Sequence, residues 1–187
     1  MQGYFAIATL LLLMVLVLSR VFLLRRMGIE AMHFGKLDKT DFLIPPFALF
    51  YFYIIFASAL DWPKPGDELF GNEIIHWFGV VLCMLGLIFF FYSLVSFGKS
   101  FRVGIDEEHP GSLVTTGAFA ISRNPIYTSF GAILIGIFLI FPNWVLLIYL
   151  VAGFWLFNRQ VLREESSLKK IYGEEYEKYC KKVRRYL

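Results

Sequence analysis

Three long apolar runs constrain this chain more than anything else in it. Tyr4–Leu24, Phe42–Leu60 and Ile74–Phe97 are nearly free of charge, and a helix crossing a hydrocarbon core of roughly 30 Å needs about 20 such residues. A small soluble domain cannot bury three helices that are apolar on every face. The first run is broken only by Ser19 and Arg20 near its end, where an arginine can snorkel to the interface. Pro45 and Pro46 fall in the first turn of the second, where a missing N–H costs least. Two shorter runs follow, Ile126–Phe141 and Asn143–Phe157, divided only by Pro142. Each would reach about 22–24 Å, so the pattern predicts a tight antiparallel hairpin that borrows length from its flanks. Composition agrees: 58% of the 187 residues are hydrophobic and only 18% charged, too apolar for a soluble chain of this length. The expected fold is all-α: a polytopic membrane protein with about five transmembrane helices in one integral-membrane domain, residues 1–187, ending in a cytoplasmic amphipathic helix. The N-terminal run lacks a basic n-region and a small-residue cleavage site, and so reads as an anchor rather than a removable signal.

Orientation follows from the loops. Arg25, Arg26, Lys36 and Lys39 follow the first run, Lys99, Arg102 and Arg123 follow the third, and the C-terminal tail is basic. The opposite side offers only Lys64, inside the acidic stretch DWPKPGDELFGNE. Lysine and arginine collect on the cytoplasmic side, which puts the N-terminus outside and both loop 98–124 and tail 158–187 in the cytoplasm. In the tail, Leu168, Tyr172, Tyr176, Tyr179, Val183 and Tyr186 recur at helical spacing. Glu165–Lys169, Glu174–Lys178 and Glu177–Lys181 stand in the favourable order, at about 0.2–0.5 kcal/mol each. Gly173 should break or bend this helix, and its basic face suits anionic lipid.

Several chemistries are absent from the pattern. His33, His76 and His109 are far apart and no HExxH or paired cysteine is present, so no metal is expected. No GxSxG, GxGxxG or P-loop occurs. The basic residues flank membrane segments rather than forming a nucleic-acid stripe. What remains is a polar cluster on the cytoplasmic side: Arg102, Asp106, Glu107, Glu108, His109 and Arg123 from the loop, with Arg159, Arg163, Glu164 and Glu165 from the tail. A hairpin of the last two runs would make Arg123 and Glu164 neighbours. That arrangement serves either as an interfacial clamp or as a site for a charged ligand that works on something from the bilayer.

The segment LVTTGAFAISRNPIY (Leu113–Tyr127), followed by REESSLKKIYGEEYEKYCKKVRR (Arg163–Arg185), resembles the integral-membrane isoprenylcysteine carboxyl methyltransferase family. The two blocks cover about half the chain and stand in the family's order around two apolar spans. The resemblance implies S-adenosylmethionine as cofactor, enclosed at the cytoplasmic face without a Rossmann domain. It implies that Leu113 and Val114 line the pocket, with Phe119 where the family often has tyrosine. Arg123, Asn124 and Pro125 would form the next wall, Tyr127 would pack beside it, and Glu164 would contact the cofactor with Glu165 in support. The side-chain chemistry suits that ligand: a carboxylate for its amine or ribose hydroxyls, arginine for its carboxylate, aromatic rings for adenine. Methyl transfer needs alignment and exclusion of water more than a metal or a triad.

Three positions depart from the family. Gly111 stands where a histidine is frequent, with His109 two residues earlier; Asn124 replaces the histidine of an RHP motif; and Gln160 stands where eukaryotic members place a substrate arginine, between Arg159 and Arg163. These departures resemble prokaryotic members, suggest a prokaryotic plasma membrane, and weaken a prenylcysteine substrate more than a methyltransferase. The expectation is therefore an S-adenosylmethionine-dependent methyltransferase acting on a lipophilic or lipidated acceptor among membrane lipids. Arg123, Glu164, Arg159 and Arg163 would sit nearest the chemistry, and His109 and Gly111 are further candidates for the cofactor. The rivals are an NADPH-dependent reductase of the steroid-reductase type and a non-catalytic lipid-binding scaffold.

Overall fold

The helix boundaries have local chemical causes. The computed structural model describes residues 1–26, 44–98 and 112–187, and within them α1 (Gln2–Arg26), α2 (Ile44–Ala59), α3 (Glu73–Phe97), α4 (Pro125–Ile140), α5 (Trp144–Tyr172) and α6 (Glu174–Lys182), with a single 3-10 turn at Gly117–Ala120 before α4. The Asn72 side chain caps α3 by accepting from the Ile74 and Ile75 amides at 2.9 and 3.3 Å, and Asn143 caps α5 from the Leu146 amide at 2.9 Å. Such caps satisfy donors that the first helical turn leaves unpaired.

Three helices, α1, α3 and α5, are long and apolar enough to cross a membrane, while α2 and α4 are shorter apolar helices. α4, with 16 residues, spans about 24 Å, and α5, with 29, spans about 44 Å. The expected hairpin forms through Phe141–Asn143. The apolar run expected as the fifth span and the first part of the tail are one helix: α5 runs unbroken to Tyr172, because nothing between Asn158 and Tyr172 stops it. The break comes at Gly173, whose φ of +51° belongs to the left-handed region.

α3 packs most extensively on α4, with α1 against α3 and α2. The α3–α4 backbones nearly touch: a Cβ on Gly136 would lie 2.6 Å from Cys83 Sγ and 2.7 Å from the Gly79 carbonyl oxygen. Ala6, Ile54, Val80, Ile137 and Leu146, all buried, knit α1 to α5 into one core. Leu12, Ile88 and Trp155 face outward, each more than half exposed. In lipid such outward side chains lose nothing, so close backbone approach and van der Waals packing hold the helices together.

Candidate functional site at the polar end of the hairpin

α5 overruns α4, and its extra turns carry charged residues past the start of α4 and against the C-terminal segment. Tyr127, in the first turn of α4, lies 6.0 Å ring to ring from Phe157 and donates its hydroxyl to Glu164 Oε1 at 2.5 Å. Gln160, one turn earlier on α5, donates to the same oxygen at 3.0 Å. Phe130 completes an aromatic floor, 6.4 Å from Tyr127 and 5.7 Å from Phe157.

Glu165 faces another way. One helical residue turns the side chain by about 100°, and this carboxylate, 11% exposed, meets Arg123 Nη2 at 3.1 Å. Its Oε1 also accepts from Asn124 Nδ2 at 3.1 Å, and its Oε2 accepts from Arg185 Nε at 2.9 Å and Nη2 at 2.8 Å. The neighbouring glutamate thus makes the ion pair with Arg123, where the sequence suggested Glu164. Glu165 also engages Arg123 and Arg185 rather than Lys169, whose ammonium reaches Glu177 across the Gly173 bend at 2.8 Å. The Glu165 carboxylate holds the Arg185 guanidinium above its ordinary range through these hydrogen bonds.

The C-terminal segment closes this layer. The Arg123 amide donates to the Arg184 carbonyl at 2.9 Å, and the Arg185 carbonyl accepts from Asn124 Nδ2 at 3.1 Å and Ser122 Oγ at 3.2 Å. Asn124 sits at the N-cap of α4 yet makes no capping bond, since its amide is directed to Glu165 and Arg185. A residue that abandons its local role for a tertiary one marks a constrained place. Tyr179 donates to the Phe119 carbonyl at 2.6 Å and Tyr186 to Asn158 Oδ1 at 3.0 Å. Tyr176 and Tyr179 of the tail stripe are therefore buried against protein.

The remaining predicted residues fall as follows. Leu113 and Val114 are half-buried in the irregular segment before the 3-10 turn. Phe119 is buried, edge-on to Phe97 at 4.8 Å, and so acts as a packing ring. Pro125 is buried at the first position of α4. Arg159 and Arg163 are exposed on α5, the former with its guanidinium 5.7 Å from the Trp155 ring centroid. His109 and Gly111 lie outside the described residues. Among the described residues no group of metal-binding side chains assembles. Sequence reasoning missed Arg185, Ser122 and the partnership of Gln160 with Glu164. Only the basic run Lys181–Arg185 hinted at the first, and nothing in the sequence singles out one cation of that run.

Apolar helices with a network of charged side chains and their hydrogen-bond partners at one end define an integral membrane protein with a one-sided charged site. This chain belongs to the phospholipid methyltransferase family, whose sequence pattern matches residues 74–175, more than half of it. It is 27% identical over 117 residues to a probable protein-S-isoprenylcysteine O-methyltransferase of Oryza sativa subsp. indica, covering 58% of this chain and 60% of that one. It is 30% identical over 115 residues to protein-S-isoprenylcysteine O-methyltransferase B of Arabidopsis thaliana, covering 58% of each. The chain thus spans about three-fifths of the length of these relatives. The fold is that of the eukaryotic intramembrane Ras methyltransferase ICMT (isoprenylcysteine carboxyl methyltransferase), at a TM-score of 0.60 and 20% identity, over 88% of this chain and 58% of that one.

Proposed function

We propose that this protein is a single-domain, five-span membrane methyltransferase that uses S-adenosylmethionine on a lipophilic or membrane-delivered acceptor, with its site on the cytoplasmic side. The observation that carries the reading is the Glu164 carboxylate, aimed by Tyr127 and Gln160 beside the aromatic floor of Phe130 and Phe157. The similarity to isoprenylcysteine O-methyltransferases supports it. The residues fit the cofactor: an oriented carboxylate suits its amine or ribose hydroxyls, and the rings suit its adenine. When bound, S-adenosylmethionine supplies a methyl group on a positively charged sulfur. The protein's part is to hold donor and acceptor in line and to keep water out, work that needs no metal or strong base. Arg123, engaged by Glu165, acts as a positioning residue that fixes α4 against α5 and the C-terminal segment.

Calorimetric titration of the purified protein in detergent tests this reading. S-adenosylmethionine and S-adenosylhomocysteine should bind, and Glu164→Ala should abolish binding while the protein remains folded. Wild-type affinity in that variant would remove Glu164 from the cofactor site.

A further inference from the structure

A second concave site lies on the other side of α5 from Glu164, and it is independent of the methyltransferase reading. It is a cleft of about 570 Å³ between α5 and α6, lined among others by Arg123, Glu165, Tyr176, Cys180, Lys181 and Arg185. Lys169 and Glu177 stand at the same cleft and pair with each other. Its charge is unbalanced: Arg123, Lys169, Lys181 and Arg185 face only Glu165 and Glu177, and both carboxylates are already engaged.

Two donors in the cleft point to what is missing. Tyr176 is 4% exposed, and its hydroxyl meets only the weakly accepting Cys180 thiol, with no oxygen or nitrogen partner among the described residues. The Nε of Arg123, a side chain 12% exposed, has none either. Buried donors lacking an acceptor are rare because each forfeits its hydration. The two share one electrostatic field: burial raises the Tyr176 phenol, the Glu165 carboxylate adds to that rise, and the Arg123 charge works against it.

We propose that this cleft binds a phosphate-type dianion, with Tyr176 and Arg123 as its inner donors and Lys181 at its exposed rim. A phosphomonoester carries about two negative charges and three acceptor oxygens. That matches an excess of two positive charges and more than one convergent donor better than a single carboxylate would. The cleft is roomier than a bare ion needs and falls within the usual size of ligand sites, about 300–1,000 Å³. Arg123 also precedes α4, a shorter apolar helix, so the cleft lies level with the start of an apolar element. The same chemistry can therefore come from free phosphate or from the headgroup of an acidic phospholipid.

The test uses the full chain in nanodiscs. In one arm the discs hold phosphatidylcholine alone and inorganic phosphate is titrated in, followed by phosphorus NMR line broadening. In the other arm phosphatidic acid is included, and the rise in unfolding temperature over phosphatidylcholine discs is measured. Signal in the first arm assigns a soluble phosphate; signal only in the second assigns a headgroup. In either case Tyr176→Phe should weaken the response by about tenfold, the scale of one hydrogen bond to a charged group. The same variant should leave the unfolding temperature in phosphate-free phosphatidylcholine discs unchanged. Lys181→Gln, at an exposed rim position, should weaken the response without touching the fold. Absence of a response in both arms, or a response that both variants retain, would overturn the proposal.

Discussion

Replacing Glu165 by alanine should loosen the C-terminal segment far more than replacing the arginine that contacts it most closely. Arg185 makes the shorter contacts to Glu165, at 2.8 and 2.9 Å, against 3.1 Å for Arg123. Exposure reverses that ranking, since the Arg185 side chain is 40% exposed and the Arg123 side chain 12%. A solvent-exposed pair contributes about 0.2–1 kcal/mol, whereas removing one partner of a buried pair costs about 3–5 kcal/mol because a charge is left unpaired. Glu165→Ala strands the Arg123 guanidinium and releases Asn124, so its cost should fall near the larger range. Arg185→Ala leaves the Glu165–Arg123 pair intact and should cost about 1 kcal/mol. Hydrogen exchange of the Arg123 amide, which donates to the Arg184 carbonyl, reports the docking of the segment directly. At about 1.4 kcal/mol per tenfold, Glu165→Ala should speed its exchange by about 10²–10⁴-fold, and Arg185→Ala by about tenfold or less. Equal effects from the two variants, or less than tenfold from both, would mean that solvent screens the whole cluster and that the burial argument is wrong.

Gly136→Ala should destabilise the α3–α4 seam by about 1–3 kcal/mol, read as a lower unfolding temperature. The added Cβ meets the Gly79 carbonyl oxygen and the Cys83 amide nitrogen, backbone atoms that cannot rotate away; an unchanged transition would show that the helices are not in backbone contact. Tyr127→Phe keeps the ring but removes the hydrogen bond to Glu164, and should weaken S-adenosylmethionine binding by about tenfold or more at nearly unchanged stability. Unaltered affinity would place the cofactor away from that carboxylate.

The apolar runs were legible because lipid imposes them. A chain that must satisfy every backbone group inside a hydrocarbon core declares its helices as long uncharged stretches, and α1, α3 and the α4–α5 hairpin follow those stretches closely. Gly173 was equally legible, since a left-handed residue after a long helix favours glycine. The two sequence blocks also identified which ends of the chain must meet. Continuity of α5 beyond Phe157 was missed, because loss of apolar character ends a span without ending a helix.

By itself, then, the sequence determined the helices, the polar end of the bundle and the pair of adjacent glutamates. Only the tertiary structure decided what each glutamate does. Neighbouring residues on a helix point about 100° apart, and the phase that sends Glu164 to Tyr127 and Glu165 to Arg123 depends on how α5 is rotated against α4. That rotation is set by close backbone approach and ring packing among the helices, which hydropathy does not encode. The same holds for Asn124, whose amide leaves its own helix end for Glu165 and Arg185 only because the C-terminal segment folds back beneath it.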